Sequence, residues 1–390
     1  MKKSMTFLLI ALLAMSLMIT GCGSKAAASD EIKVGLNYEL SGAIAVYGTQ
    51  GRDGIALAFE EINAAGGVLG KKITYVEMDN KGDQAEALSI ATKLVTQDRV
   101  AALFGPATSG ATLAEVPVAT EYKIPLITNS GTNPDITVDP ATGKVREYAF
   151  RTCFIDPPQA VVGAKFAVNE LGVKKVAIYY DNTNDYSKGL YNVFKTTIES
   201  LGGEVVAAEG YSGQDQEFRP TLTKFKDAGA ELIYIPGYYE MVAKIISQAR
   251  EVGITVPFLG ADGWDSPDLL KIAGADALNN TFFTNHYSSQ DPAENVQAFV
   301  AAYKTKYGSE PSAFAALGYD AAYLYAAAVK TAGTTDGAAV AKALAATKDF
   351  PAVTGIFSYD EFHNPIKEIS IIEMVNGAQT LKTKISSSQQ

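Results

Sequence analysis

Residues 60–79 read EEINAAGGVLGKKITYVEMD, which is a helical stretch, two glycines and then a run rich in β-branched residues. Glycine ends helices because it readily adopts the left-handed backbone conformation that a helix terminus requires. The same order returns in residues 197–210 as TIESLGGEVVAAEG. Two such units in one chain predict two α/β lobes of similar plan, each with a mostly parallel sheet covered by helices.

The alternation of helix and strand continues on both sides of these units. Ile55, Phe59 and Ile62 recur at helical spacing, and short β-branched runs separate such helices. The predicted helices are 48–64, 84–97, 110–122, 158–171, 186–201, 218–228 and 240–252. The predicted strands are 32–36, 72–78, 100–104, 124–128, 175–180, 204–208, 232–236 and 258–260.

The tail from Thr284 has no break in composition that would mark a third domain. We therefore predict two doubly wound, Rossmann-like α/β lobes joined by a multi-strand hinge, as in the type of fold that binds ligands between sheets. Residues 31–151 with 285–355 would form the N-terminal lobe, and residues 152–284 with 356–390 the C-terminal lobe. The predicted elements of the tail are helices at 294–307, 314–332 and 337–346, and a strand pair at 355–359 and 368–375.

The N-terminal residues predict the compartment. Two lysines precede an apolar run, Met5–Ile19, that is shorter than the roughly 20 residues of a membrane-spanning helix. This pattern is typical of a secretion signal. The run ends in Ile19-Thr20-Gly21-Cys22, which resembles the bacterial lipobox, whose cysteine thiol accepts a diacylglycerol. We expect removal of the signal peptide 1–21 and a lipid on Cys22 that, through the tether 22–30, holds an extracytoplasmic protein on the cell membrane.

The charge of the chain argues against nucleic-acid binding. The formal net charge is −10, and it becomes more negative when the two lysines of the signal are lost. An acidic surface repels nucleic acid, and no basic cluster compensates for this repulsion.

The cysteines and histidines predict neither a disulfide nor a metal site. Once Cys22 is lipidated, only Cys153 remains, and a single thiol of this kind is typically a small buried hydrophobe. His286 and His363 lie far apart in the chain, with no ligand-like spacing around either. We predict no metal and no cofactor.

Motifs of common enzyme classes are absent from the sequence. It contains no Gly-x-Ser-x-Gly elbow, no phosphate-binding Gly-x-x-x-x-Gly-Lys-Ser/Thr loop and no His-Glu-x-x-His zinc motif. We therefore expect a protein that is not an enzyme.

Candidate ligand contacts lie in the loops that follow the predicted strands, where open α/β sheets bind their ligands. The loop 105–110 opens a helix, so its hydroxyls and free N–H groups predict a seat for a carboxylate. Taken singly, each such loop could simply cap the next helix. The candidate loops are 105–110, 128–134, 181–186, 237–240 and 260–264.

Across residues 31–375 the chain resembles the leucine/isoleucine/valine-binding protein family of type I periplasmic binding proteins. Each matching stretch is short, and it is their order and spacing together that carry the resemblance. The stretches are Ile32-Lys33-Val34-Gly35, Leu40-Ser41-Gly42, Tyr47-Gly48, Glu61 through Gly70, Ile127-Thr128, Thr132-Asn133-Pro134, Arg151-Thr152, Asp185-Tyr186, Gly189, Gly237-Tyr238, Gln248-Ala249-Arg250 and Gly260-Ala261-Asp262-Gly263.

The resemblance implies two lobes that close around a free amino acid, with a branched-chain one expected. It implies that the α-carboxylate is held by Ser109, Ser130 and Thr132, that the cleft is walled by Tyr47, Tyr186 and Tyr238, and that the α-ammonium pairs with Asp262. Members that bind aliphatic amino acids often carry glutamate at the position of Asp262, so here the ligand would have to sit deeper or a water molecule would have to bridge the two. Trp264 could shape the side-chain pocket or pack beneath the hinge.

The resemblance also implies partners, and it leaves alternatives open. We expect a monomer that delivers its ligand to the permease subunits of an ABC importer. Alternatives of the same fold are a receptor for another small molecule, such as an aromatic amino acid, an amide, urea or an aromatic acid, and a sensor for a signalling partner. A secreted hydrolase is the remote alternative.

Overall fold

Two β-sheets organise the chain. A computed structural model describes residues 31–386, and the predicted signal peptide, Cys22 and tether lie outside these residues. Strands from 31–151 form one sheet and strands from 175–386 form the other. The predicted α/β fold class is therefore confirmed.

Parallel pairing dominates the first sheet. Its strands are β1 (Glu31–Tyr38), β2 (Lys72–Asp79), β3 (Leu103–Phe104), β4 (Leu126–Thr128) and β5 (Ala149–Arg151). They lie in the order β2-β1-β3-β4-β5, with β1–β3, β3–β4 and β4–β5 parallel. The central strands read as apolar runs because helices bury both of their faces, and Val34, Leu36 and Leu126 are fully buried.

The second sheet is parallel at its centre and antiparallel at one edge. Its strands are β6 (Lys175–Asp181), β7 (Glu204–Tyr211), β8 (Leu232–Ile235), β9 (Phe258–Gly260), β10 (Thr281–Asn285), β11 (Glu368–Val375) and β12 (Ala378–Ser386). Their order is β12-β11-β10-β9-β8-β6-β7. The pairs β10–β11 and β11–β12 are antiparallel.

Helices connect the strands and place their N-termini at the carboxyl edges of the sheets. They are α1 (Ala45–Ala64), α2 (Gln84–Thr96), α3 (Ser109–Tyr122), α4 (Asp156–Lys165), α5 (Asp185–Ser200), α6 (Arg219–Asp227), α7 (Tyr239–Glu251), α8 (Pro267–Ala273), α9 (Ala275–Leu278), α10 (Glu294–Tyr307), α11 (Ala313–Ala332) and α12 (Gly337–Ala345). The 3₁₀ turn Asp262–Trp264 follows β9 directly.

Helix α11, from the tail, packs against α1, from the start of the chain, with their backbones in close contact. A Cβ atom at Gly54 would lie 2.0 Å from the Ala315 carbonyl oxygen, and one at Gly318 would lie 2.2 Å from the Gly51 carbonyl oxygen. Only glycine leaves room for this approach. The tail therefore returns to the first sheet through α11 before β11 and β12 join the second.

The chain thus passes between the two halves three times: after β5, after β10 and before β11. Lys367 ties two of these passages together, because its Nζ donates to the Thr152 carbonyl oxygen at 2.6 Å and also to the Thr354 hydroxyl. The lobe boundaries given above stay a prediction.

The predicted strand pair of the tail was wrong in one member. Residues 355–359 form only isolated bridges, Phe350 with Phe357 and Tyr359 with Pro365. The partner of β11 is instead β12, reached through a two-residue turn at Asn376-Gly377 with positive φ at both positions. Such a turn matches the twist of the two strands of a β-hairpin. The Asn-Gly pair therefore indicates a hairpin at this point of the sequence, although none was predicted.

Candidate functional site

A small cavity lies where loops at the carboxyl ends of the two sheets meet. Its lining residues are Tyr47, Ala107, Thr108, Ser109, Ser130, Tyr186, Tyr238, Asp262, Gly263 and Phe314. Six of the seven predicted ligand-binding residues are among them, and Thr132 is the exception. The structure therefore brings together side chains that are distant in sequence.

Asp262 is buried and held at both carboxylate oxygens. The Tyr186 hydroxyl donates to Oδ1 at 2.7 Å, and Nε2 of His286 lies 2.9 Å from Oδ2. The backbone N–H of Asp262 donates to Oε1 of Gln159 at 2.9 Å. Position 262 is thus fixed from three sides by hydrogen bonds.

Aromatic rings form the walls. Tyr47 stacks on Phe314 with ring centroids 4.3 Å apart, and Tyr186 stacks on Tyr238 at 5.3 Å. The two stacks meet edge to face, with the Tyr47 and Tyr238 centroids 5.5 Å apart. Burial raises the pKa of the Tyr47 and Tyr186 hydroxyls well above the usual range, so both stay protonated donors.

The rims of the two sheets touch through Tyr47 and Tyr239. The Tyr47 hydroxyl donates to the Gly263 carbonyl oxygen and accepts the backbone N–H of Tyr239 at 3.1 Å. The Tyr239 hydroxyl in turn donates to the carbonyl oxygen of Ala43 at 2.7 Å. These hydrogen bonds cross from helix α1 to the loops of the second sheet, so the cleft is closed.

Hydroxyls and the N-terminus of α3 form another part of the cavity lining. Ser109 is the first residue of α3, and its Oγ accepts the backbone N–H of Asn133 at 3.2 Å. The Ser130 hydroxyl donates to the Ala107 carbonyl oxygen at 2.8 Å. The N–H groups in the first turn of a helix have no partner within the helix and attract anions.

Part of the predicted carboxylate seat is already occupied by the protein itself. The Glu39 carboxylate accepts the N–H groups of Ala107 and Thr108, each at 3.0 Å, and the Thr108 hydroxyl at 2.7 Å. The loop 105–110 therefore offers a ligand only the donors from Ser109 onward. Burial raises the pKa of Glu39, and these hydrogen bonds oppose the rise. Its place directly after β1, at the edge where ligands bind, could have drawn attention to Glu39.

A second buried acid, Asp156, was also missed. The Thr132 hydroxyl interacts with the Asp156 carboxyl, but neither group makes a hydrogen bond of normal geometry to the residues described. Burial, and then the charge of Asp262, raise the pKa of Asp156 well above its usual range. Polar atoms without such a hydrogen bond are uncommon in protein interiors, and the Asp156 carboxyl is close enough to Asp262 to be affected by its charge.

His286 reaches the site from the loop after β10. Its ring stacks on Phe154 with centroids 3.6 Å apart, and burial lowers the pKa of the imidazole. No recognisable motif surrounds His286 in the sequence, and the strand that places it was not predicted. This is why the histidine was not assigned to the site.

Trp264 packs below the site and does not line the cavity. Its Nε1 donates to the carbonyl oxygen of Ile235 at 2.9 Å, and its ring lies so close to Gly260 that a Cβ there would be 2.0 Å from it. Cys153 is a free, buried thiol. Within residues 31–386, no group of three or more His, Cys, Asp or Glu side chains could hold a metal ion.

The closed cavity has a volume of about 10 Å³, which is on the scale of one water molecule. An amino acid can therefore enter only if the rims separate or the side chains rearrange. A groove of about 860 Å³, lined by Leu69, Phe299, Tyr319 and Phe350 among others, lies on the outer side of α1 and α11. The groove is large enough for an amino acid, whereas the closed cavity is not. However, it is the smaller cavity that is lined by the carboxylate, the hydroxyls and the helix N-terminus that could hold a small polar ligand.

In the described part of the chain, no helix combines the length and apolar character needed to cross a membrane. The predicted signal peptide lies outside that part.

Known proteins resemble the chain over nearly its whole length. The family model for periplasmic binding proteins matches residues 31–379. A leucine-, isoleucine-, valine-, threonine- and alanine-binding protein of Pseudomonas aeruginosa is 31% identical, over 88% of this chain and 89% of its own. The branched-chain amino acid transporter substrate-binding protein LivJ of Streptococcus pneumoniae, solved with isoleucine, is 41% identical with a TM-score of 0.84, over 91% of this chain and 99% of its own.

A more distant structure shows the breadth of ligands on this fold. It is a solute-binding protein of an ABC transporter from R. palustris, solved with benzoate, at 25% identity and a TM-score of 0.81, over 91% of this chain and 96% of its own. Fold, closed cleft and family match agree. The chain belongs to the leucine/isoleucine/valine-binding branch of the type I periplasmic binding proteins, which are extracytoplasmic substrate-binding proteins of transporters and not enzymes.

Proposed function

We propose that this protein captures a free branched-chain amino acid between its two sheets and delivers it to an ABC importer. The observation that carries the proposal is the buried Asp262 carboxylate, which lines an aromatic cavity together with the N-terminus of α3. A zwitterion needs an anion at its ammonium end and donors at its carboxylate end. The cavity offers both within one enclosure.

The proposed ammonium end holds a second buried acid, Asp156, which the sequence did not indicate. Asp262 would pair directly with the ligand, and the Asp156 carboxyl and the Thr132 hydroxyl would supply further oxygen acceptors. A ligand cation near both acids would favour their ionised forms. At the other end, the N–H groups of the first turn of α3 and the hydroxyls of Ser109 and Ser130 would hold the ligand carboxylate.

The walls favour an aliphatic side chain. Tyr47, Tyr238 and Phe314 present ring faces and edges, and none of the residues that line the cavity is cationic. An acidic ligand side chain would lack a counter-charge there. A branched aliphatic group would instead gain about 25 cal/mol for each Å² of apolar surface removed from water.

Closure links binding to transport. The hydrogen bonds from Tyr47 and Tyr239 join the two rims only when the cleft is shut. A ligand that contacts both rims therefore shifts the population toward the closed form. The closed monomer would present a joined surface to the permease subunits.

A lipid on Cys22 would keep the receptor at the membrane. The proposal rests on the lipobox-like Ile19-Thr20-Gly21-Cys22. Replacement of Cys22 by serine should abolish labelling by radioactive palmitate and release the protein into the medium, as seen by immunoblot of cells and culture fluid. Retention of both label and cell association would refute the anchor.

A thermal-shift panel of the free amino acids tests the function. We expect leucine, isoleucine or valine to raise the melting temperature most, because a ligand at about 1,000 times its Kd stabilises the folded state by about 4 kcal/mol. The protein should first be unfolded, dialysed and refolded to remove any co-purified ligand. No response to any amino acid would contradict the proposal.

The second candidate is an aromatic acid such as benzoate, favoured by the aromatic walls and by the benzoate-bound relative. Such a ligand has no ammonium, so Asp262 would stay unpaired beside it. Benzoate and 4-methylpentanoate, the deaminated counterpart of leucine, should be included in the panel. A larger shift with these acids than with leucine would favour the second candidate.

A further inference from the structure

Among the described residues, two side chains form hydrogen bonds to the Asp262 carboxylate, and these are Tyr186 and His286. Tyr186 holds Oδ1 at 2.7 Å and His286 approaches Oδ2 at 2.9 Å. The two donors come from different parts of the second sheet, α5 and the loop after β10. Together they leave the carboxylate little freedom to rotate.

The tautomer of His286 follows from its surroundings. The side chain is only 1% exposed, and burial lowers the pKa of the imidazole, so the ring is neutral at neutral pH. A neutral imidazole carries one N–H. Because a carboxylate oxygen can only accept, this proton has to be on Nε2. Nδ1 is then an acceptor, and it makes no hydrogen bond to any residue that the structure describes.

The charges that face His286 balance each other in part. Asp262 and Asp265 favour the protonated ring, whereas Lys367 and burial disfavour it. Phe154 covers one face of the ring, with centroids 3.6 Å apart. The imidazole is therefore held in place by stacking and can act as a fixed donor.

We propose that His286 is a positioning residue for ligand recognition, which fixes the orientation of the Asp262 carboxylate toward the ammonium group of the ligand. This inference rests on the proposed function. Without the donor, Oδ2 would be buried without a hydrogen-bond partner, and the carboxylate would be free to rotate about the remaining bond from Tyr186. A carboxylate that turns away from the ligand holds the ammonium group less well. An aspartate has a short side chain, so its orientation matters for reaching the ligand.

Two substitutions at one position separate positioning from packing. His286→Leu keeps the bulk and removes the donor. His286→Gln keeps a donor, since its amide nitrogen can take the place of Nε2. His363 provides a matched control, because it is also a buried histidine, stacked on Phe150 at 4.3 Å and hydrogen-bonded to the Ala149 carbonyl oxygen at 3.0 Å.

Calorimetric titration with L-leucine, L-isoleucine and L-valine is the test. We expect His286→Leu to weaken binding by about 10- to 100-fold, the usual cost of losing a hydrogen bond to a charged group. His286→Gln should remain within about threefold of the wild type, and His363→Leu should bind as the wild type does. The melting temperature of each ligand-free variant shows whether it is folded.

A second measurement needs no ligand. In a long-range ¹H–¹⁵N spectrum of the ligand-free wild type, His286 should show the neutral tautomer with the proton on Nε2. A proton on Nδ1 would overturn the proposal. So would unchanged leucine binding in His286→Leu, or an equal loss in the Leu and Gln variants, which would indicate packing alone. If the wild type binds no amino acid, it is the proposed function that fails, and this inference falls with it.

Discussion

At the scale of single residues, the proposed recognition of the ligand depends on Asp262 and on the groups that surround it. The carboxylate is 3% exposed and is held by Tyr186 and His286. In such an environment a charge interacts more strongly with a partner than in water, and it is costly without one. The ligand ammonium would be that partner.

Replacement of Asp262 by asparagine keeps the size of the side chain and removes its charge. We expect binding of leucine to weaken by about 2–5 kcal/mol, because the ammonium would be buried without its counter-ion. Calorimetry on the purified variant measures this loss. Asp185→Asn, at an exposed acid in the first turn of α5, is the control. Near wild-type affinity in Asp262→Asn would rule out the assigned role.

Sequence reasoning located the residues that follow predicted strands and those that match the family. Ser109, Tyr186 and Asp262 meet at one cavity, as their loops suggested, together with Tyr47, which the family resemblance indicated. It could not locate groups whose role depends on three-dimensional contacts. Glu39 was missed because its bonds to the 107–108 amides join positions far apart in the chain.

At the scale of secondary-structure elements, long periodic segments were predictable, whereas two of the shorter strands, β5 at a sheet edge and β10 inside a sheet, were missed. Helix α1 buries Ile55, Phe59 and Ile62, as their spacing indicated. The three-residue strand β5 and the five-residue β10 carry too few residues for a pattern to stand out. Because β10 was not predicted, the loop that follows it, which contains His286, was not recognised as a candidate ligand-binding loop.

The crossing of α1 and α11 gives a prediction at this scale. Gly54→Ala would place a Cβ 2.0 Å from the Ala315 carbonyl oxygen, so the helices have to move apart. We expect a loss of about 1–3 kcal/mol in the free energy of unfolding, typical of overpacking, as measured by urea denaturation.

The control for this prediction is Gly163→Ala in α4, where the nearest atoms would lie at an ordinary contact distance of 3.6 Å. There alanine should be neutral or stabilising, because it favours the helix over glycine by roughly 0.5–1 kcal/mol. Equal stability of the Gly54 and Gly163 variants would contradict the tight crossing.

At the scale of the whole molecule, Lys367 connects passages between the two halves. Burial lowers the pKa of its ammonium group to about 8, below the ordinary value of about 10.4 for lysine. Between these values the unfolded state binds more protons than the folded one. The free energy of unfolding should therefore rise with pH from about 8 to about 10 through this group.

The measurement is urea denaturation of the wild type and of Lys367→Met across that pH range. The free energy of unfolding of the wild type minus that of Lys367→Met should increase toward pH 10. The reason is that Lys367 loses its proton at a lower pH in the folded state than in the unfolded state. A difference that is flat, or that falls with pH, would show that the ammonium is not destabilised by burial at the hinge.

The most direct test of the account is a crystal structure of the protein with L-leucine. We predict the ligand between the two rims, with its nitrogen within hydrogen-bond distance of Asp262 and its carboxylate at the N-terminus of α3. Leucine bound elsewhere, for example in the groove beside Tyr319, or an Asp262 carboxylate turned toward solvent in the closed form, would contradict it.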